Sequence, residues 1–228
     1  MALRQLSGPR LPPARGNATH LVVLCHGYGA DGNDLIGLAP LWQRMWPSAA
    51  FVAPNAPEPC QGAPTGYQWF AISRIDPAEM ARGVEGAAES LNAFLDGELK
   101  RLELTPDRLA LVGFSQGTMM ALHIGLRRRV AAIVGYSGML AGAVPALGPE
   151  APPILLVHGD SDQTIPVGAV FDAATRLGAA GASVQWHISS GAGHSIDEGG
   201  LALGGLHLTM AFRGLLKRQP AEIGGASR

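Results

Sequence analysis

At 228 residues, with 47% hydrophobic and 15% charged residues and a formal net charge of −1, the chain is long enough to bury a large core and carries no basic excess with which to hold nucleic acid. Two cysteines, Cys25 closing an apolar run and Cys60 in a proline-rich loop, argue against a disulfide framework and are expected to be free thiols in a reducing compartment. No stretch has the length of a membrane span, and Met1 to Gly16 lacks the apolar run of a signal peptide, so a cytoplasmic protein without integral membrane contact is expected.

After a lead-in over residues 1–18 that is expected to be loose, Leu21-Val22-Val23-Leu24-Cys25 is apolar on both faces, as a strand buried between helix layers would be. It runs into His26-Gly27-Tyr28-Gly29, whose glycines allow a tight backbone loop. Asp34 is the expected cap of a helix from Leu35 to Trp46 that Pro40 would break or kink. Ala50 to Ala53 reads as a second strand, and residues 54–75 as one long loop anchored by Trp69-Phe70.

Asp76-Pro77-Ala78-Glu79 combines a cap, a first-turn proline and a capping-box glutamate, and Met80, Val84, Ala87, Leu91, Phe94, Leu95 and Leu102 follow at helical spacing. Strands are expected over Arg108 to Val112, Val130 to Tyr136, Ile154 to His158 and Val184 to Ser189. Helices are expected over Gln116 to about Arg128, Val167 to Leu177 and Leu201 to Leu216, with Arg127-Arg128-Arg129 facing the dipole at the end of the first. The tail over residues 217–228 is expected to be loose. Strands alternating with helices along the whole length predict a single α/β domain with a mostly parallel, doubly wound sheet.

Gly113-Phe114-Ser115-Gln116-Gly117 lies between a strand and a helix, the context of a nucleophile elbow in which a strained turn exposes the serine. The flanking glycines are needed because a Cβ at either would strike the neighbouring strand or helix. A serine hydroxyl is a poor nucleophile near neutral pH and needs a base within reach and a carboxylate to hold that base in one tautomer. His194 follows the last strand and Asp162 follows the one before it, so the candidates fall at the carboxyl ends of strands, where sites in such sheets form. Asp160 ends the same strand and competes with Asp162, but it comes earlier in the turn and is suited to accept from backbone amides.

His187 in a strand pattern, His123 and His207 on helices and His20 before the first clear strand read as structural. His158-x-Asp160-x-Asp162 has metal-ligand types but nothing that completes a site, so no metal and no cofactor are expected. An oxyanion would be held by the N–H groups of Gln116 and Tyr28, each such donor being worth about 3 to 4 kcal/mol. Since these are backbone groups, their side chains should matter less, and His26 should shape its loop rather than react.

Together, His26-Gly27-Tyr28-Gly29-Ala30-Asp31-Gly32, Pro54-Asn55-Ala56-Pro57, Gly113 to Gly117, His158 to Asp162 with Ile165-Pro166, and Gly193-His194 resemble the phospholipase/carboxylesterase family of α/β-hydrolases, which also contains the acyl-protein thioesterases. The resemblance spans Leu21 to Leu216. It implies the α/β-hydrolase fold without a large lid domain, the triad Ser115, Asp162 and His194, an oxyanion hole from Tyr28 and Gln116, and an acyl site near Trp69, Phe70, Ile72, Met139, Leu140 and Ile165. Many members carry an acidic residue just after the aromatic pair, where this chain has Ala71, and the surrounding loop looks closer to small bacterial esterases.

The resulting expectation is a cofactor-free serine carboxylesterase for short- to medium-chain esters, its partners being a small-molecule acyl ester and, if it associates at all, a second copy in a homodimer. A thioesterase or lysophospholipase for longer acyl chains is the related alternative, and a non-catalytic binding module the more distant one. A nucleotide-binding reading fails because the first loop lacks G-x-G-x-x-G spacing and no Walker lysine is present.

Overall fold

The computed structural model describes residues 4–216 with the exception of Gln61, so the tail over residues 217–228 lies outside the described residues. In chain order the elements are β1 (Arg10–Leu11), β2 (His20–Cys25), α1 (Gly32–Ile36), α2 (Ala39–Gln43), β3 (Ala49–Val52), β4 (Glu58–Pro59), β5 (Tyr67–Gln68), α3 (Pro77–Arg101), β6 (Leu109–Phe114), α4 (Gln116–Gly125), β7 (Ala132–Tyr136), β8 (Ile154–Gly159), α5 (Gly168–Ala179), β9 (Val184–Ser189) and α6 (Glu198–Phe212). Seven strands form one sheet in the order β1-β3-β2-β6-β7-β8-β9. All neighbours are parallel except β1, which runs antiparallel to β3.

The period-two alternation of the strands sorts the core into two layers. On one face Leu21, Val23 and Cys25 pack with Leu109 and Leu111 under α3, α4 and α5. On the other, Val22 and Leu24 pack with Ala110, Val112 and Trp42 under α1, α2 and α6. Strands covered on both sides are apolar throughout, which is why they read as continuous hydrophobic runs. The helix layers and the parallel sheet make this the α/β-hydrolase architecture.

Three local expectations are corrected. The described part of the lead-in is tied down rather than loose: β1 pairs with β3, the Asn55 N–H donates to the Ser7 carbonyl at 2.8 Å, and the Arg10 guanidinium pairs with Glu98 near the end of α3 at 2.6 Å. The helix expected from Leu35 to Trp46 is two short helices, and its first cap is Asp31, which accepts from the Asn33 N–H, rather than Asp34. The interruption expected at Pro40 takes the form of a break: α1 ends at Ile36, and Pro40 lies in the first turn of α2, where its missing N–H costs nothing. The long loop over residues 54–75 contains the small antiparallel pair β4-β5, too short for a periodic signal.

Candidate active site

Ser115 follows β6, the central strand, and is the N-cap of α4. Its backbone sits at φ 53°, ψ −117°, a conformation that L-residues adopt only when their surroundings enforce it. The enforcement is visible. The Ser115 N–H donates to the Tyr136 carbonyl of β7 at 2.9 Å, a Cβ on Gly113 would collide with the Gly117 carbonyl, and a Cβ on Gly117 would collide with the Cys25 carbonyl.

β8 ends at Gly159 and carries Asp162 into a buried turn, where its two oxygens are divided between tasks. Oδ1 accepts from the N–H groups of Thr164 and Ile165 at 2.8 and 2.9 Å, and Oδ2 accepts from His194 Nδ1 at 2.7 Å. Burial pushes this carboxyl up, but the bonds from His194, Ile165 and Thr164 outweigh it and hold the group below the ordinary aspartate value. Asp162 is therefore an anion at neutral pH and fixes the proton of His194 on Nδ1, leaving Nε2 free to accept. The His194 ring packs at a tilt of 51° against Phe114, the residue before Ser115, with centroids 5.0 Å apart.

Asp160, the competing carboxylate, is exposed and accepts instead from the Gly191 N–H at 2.8 Å and from the Ser161 hydroxyl at 2.9 Å. It thus ties down the histidine loop. From the other side, Ser137 at the end of β7, itself at φ 45°, donates its hydroxyl to the Ser195 carbonyl at 3.2 Å. His158 is buried and donates Nε2–H to the Ile165 carbonyl at 2.8 Å, with Asp162 Oδ2 3.3 Å away. Its Nε2–H is thus committed to the Ile165 carbonyl and steadies the turn that carries Asp162.

The loop after β2 packs on the elbow, since a Cβ on Gly27 would stand 3.4 Å from the Ser115 Cβ. His26 is fully buried, and its Nδ1–H donates to the Gly27 carbonyl at 2.7 Å while Nε2 accepts from the Ala56 N–H at 3.0 Å. Acceptance at Nε2 requires the neutral ring, and desolvation, outweighing the bond to the Gly27 carbonyl, lowers its pKa accordingly. Tyr28, next in the chain, is largely exposed, and a hydrogen bond with Cys60 pushes its phenol up. Gln116 opens α4, so its backbone N–H is one of those a helix leaves without an internal acceptor.

The Gln116 side chain carries a role that sequence reasoning missed. It is buried, accepts from the Trp69 N–H at 2.9 Å and donates to the Phe70 carbonyl at 2.8 Å, as if continuing a strand pairing. The Trp69 indole N–H in turn donates to the His26 carbonyl at 2.9 Å. A continuous set of bonds thereby joins the elbow, the aromatic segment and the loop that carries Tyr28. An amide directly after a candidate nucleophile was the available signal, but its partner lies 47 positions away.

Of the residues expected near an acyl group, Trp69, Phe70, Leu140 and Ile165 are buried in the core beneath α3 and α5, and Ile72 and Met139 are partly exposed above it. Cavities of about 540 and 570 Å³ lie elsewhere, one beside His20, Arg108 and Arg129 at the amino ends of the strands, the other between Leu6 and Phe94. Volume alone would point to them, yet the strained serine and the carboxylate–imidazole pair follow the carboxyl ends of strands, at the opposite end of the sheet.

The chain matches the phospholipase/carboxylesterase family model over residues 8–209. It is 29% identical to esterase YpfH of Escherichia coli over 79% of this chain and 78% of that one. It is also 31% identical to acyl-protein thioesterase 1 of Neurospora crassa, over 82% and 84% of the two chains. Among solved structures, the esterase PE8 superposes with a TM-score of 0.83 at 42% identity, covering 91% of this chain and 99% of that one.

Proposed function

Since the chain belongs to the phospholipase/carboxylesterase family of α/β-hydrolases, an enzyme family of carboxylic ester hydrolases, we propose that it is a serine carboxylesterase acting on short- to medium-chain esters through an acyl-serine intermediate. The observation that carries the assignment is the 2.7 Å bond between Asp162 and His194 beside a serine held at φ 53°. Ser115 Oγ attacks the ester carbonyl carbon as His194 Nε2 takes the hydroxyl proton, and Asp162 stabilises the imidazolium through Nδ1–H. The carbonyl oxygen, now an oxyanion, is received by the N–H groups of Gln116 and Tyr28. The carbonyl then re-forms, the ester C–O bond breaks, and His194 returns the proton to the departing alkoxide. A water molecule repeats the sequence on the acyl-serine, regenerating the Ser115 hydroxyl and releasing the acid.

Short to medium chains are favoured because Trp69, Phe70, Leu140 and Ile165 are committed to core packing, which leaves Ile72 and Met139 as the apolar surface for an acyl tail. The thioesterase reading is kept on one ground, the similarity to proteins named acyl-protein thioesterase 1. Among the described residues no helix is long and apolar enough to cross a membrane.

The test is the initial rate on p-nitrophenyl esters from acetyl to palmitoyl, with Ser115→Ala as control and a matched acyl thioester beside each ester. A maximum at short to medium ester chains, lost in Ser115→Ala, is the expected result. A rise toward palmitoyl or a preference for the thioester would transfer the assignment to the long-chain alternative, and turnover that survives in Ser115→Ala would remove the serine mechanism.

A further inference from the structure

β9 is the last strand of the sheet, paired with β8 along its whole length and with no strand on its other side. Edge strands of globular proteins are ordinarily blunted by lysine, proline, a bulge or a covering element, because their unpaired amide groups invite further pairing. The sequence Val184-Gln185-Trp186-His187-Ile188-Ser189 has none of these devices: it contains no lysine, carboxylate, proline or glycine and is in unbroken register with β8. At its centre Trp186 is 52% exposed.

The outward groups of β9 can be assigned. The Ile154 N–H donates to the Ser183 carbonyl at 3.0 Å and the Asp160 N–H to the Ser189 carbonyl at 3.2 Å, so these two residues turn their peptide groups toward β8. Alternate residues of a strand face the same neighbour, which places Gln185 and His187 with them. Val184, Trp186 and Ile188 therefore direct N–H and C=O away from the sheet.

The flanking surface is largely apolar, with Gln185, His187 and His207 as the polar side chains of the groove on the α6 side and no lysine, arginine or carboxylate in it. On one face Trp186 meets Phe171 of α5 edge-on at 5.3 Å, and Phe171 is itself 44% exposed. On the other, Leu203, Leu206 and Met210 of α6 border a groove of about 470 Å³ beside Val184 and Trp186. α6 carries apolar side chains on all sides and a single charged residue, Glu198, in its first turn, a composition suited to a helix covered on two faces. The charges of α5 are occupied, since Arg176 pairs with Asp172 at 3.1 Å and donates to the Leu140 and Gly142 carbonyls in the loop after β7, away from the edge.

We infer that β9 is the interface with a second copy of this chain, the two β9 strands pairing antiparallel about a two-fold axis perpendicular to the sheet at Trp186. In that register Trp186 stands opposite its own copy and Val184 opposite Ile188 of the copy, so every outward N–H meets an outward C=O. The axis maps each sheet face onto itself and brings Phe171 and Leu206 toward their own copies. A two-fold also sets every charge near it against an identical charge, and this patch has no unpaired lysine, arginine or carboxylate. An aromatic- and methionine-bearing surface depleted of charge matches the core of a protein interface, and the self-complementary ladder selects a second copy over a foreign strand.

The experiment is sedimentation velocity with light scattering on the full chain at micromolar concentration, together with two kinds of substitution. Wild type is expected at twice the 23.6 kDa chain mass. Trp186→Pro removes only an outward N–H and so spares the bonds to β8; it is expected at the monomer mass with a native circular-dichroism spectrum. Trp186→Cys keeps the interface testable should the proline variant fail to fold. Hydrogen-bonded antiparallel partners have Cα atoms about 5.5 Å apart, within disulfide range, so mild oxidation should link two Trp186→Cys chains. Val184→Cys should not cross-link, because its copy lies roughly 13 Å along the strand. A monomeric wild type, a folded Trp186→Pro that stays dimeric, or equal cross-linking of the two cysteine variants would overturn the inference.

Discussion

The Trp69 N–H and the side-chain oxygen of Gln116 are 2.9 Å apart, so the residue that follows the candidate nucleophile also holds the aromatic segment of a distant loop. Because the Trp69 indole passes this restraint to the His26 carbonyl, the two backbone donors assigned to the oxyanion are set relative to one another through Gln116. Replacing Gln116 by leucine leaves the Trp69 N–H and Phe70 carbonyl buried without that partner while keeping the backbone N–H of residue 116. The expected result is a fall in kcat of about ten- to a hundredfold, with KM changed much less, since the lost geometry serves the oxyanion more than the bound ester. Steady-state kinetics on one short ester checks it, and an equal loss through KM alone would assign the amide to substrate binding.

Asp162 and Asp160 stand two positions apart and do different things. Asp162→Asn should lower kcat by up to about 10⁴-fold, because an amide at that position favours the wrong imidazole tautomer. Asp160→Asn should cost no more than a few-fold, since the Gly191 N–H can still be accepted by the amide oxygen. Kinetics of the two variants side by side decide the assignment, and the reverse order of effects would move the acid to Asp160.

Ser137→Ala removes the bond to the Ser195 carbonyl and nothing from the proposed chemistry itself. A neutral hydrogen bond of this kind is worth about 0.5 to 1.5 kcal/mol, so a decrease in kcat of up to roughly tenfold is expected, with the melting temperature lowered by a few degrees at most.

His123 is buried on α4 with Nδ1 lacking a partner, and desolvation, aided by Arg127, lowers its pKa to about 4. The unfolded chain protonates this ring near pH 6.5 and the folded chain only near 4, so the unfolded state binds more protons between those values. Stability is therefore present in full above pH 6.5 and declines as pH falls toward 4. His20, stacked on Phe212 and likewise lowered to about 4, acts in the same direction. Thermal melts at pH 7.5 and pH 5 should show wild type losing several degrees, and His123→Leu should narrow that difference. An unchanged difference would assign the acid sensitivity to other groups.

Much of this site was legible because its parts are short and obey strong local rules. The glycines around Ser115 announce a backbone approach too close for a Cβ, and apolar runs ending in His26, Phe114, Asp160 and Ser189 place the site at the carboxyl ends of strands. The backbone N–H that Asp160 accepts from, at Gly191, is likewise of the kind that its early place in the turn suggested. What escaped the sequence depends on long-range partners. Nothing local to Arg10 shows that a two-residue strand and a buried Glu98 await it, and nothing near Gln116 or Ser137 names Trp69 or Ser195. The helix boundary at Asp31 was missed for a different reason: Asp34 offers an equally good cap, and only the closeness of the Gly32 backbone to the Ala53 carbonyl separates the two.

The strand order has a kinetic meaning. β6, which delivers Ser115, has three strands on each side, whereas the His194 loop hangs from β9 at the rim. Amide protons of the central strand should exchange with solvent only when the whole chain unfolds, while those of β9 in a chain separated from its copy exchange by local fraying that leaves the elbow intact. In such a monomer base and nucleophile part company during a fluctuation too small to register as melting, so that on warming it falls silent before it unfolds, whereas pairing of two β9 strands holds the His194 loop in place and keeps activity up to the melt.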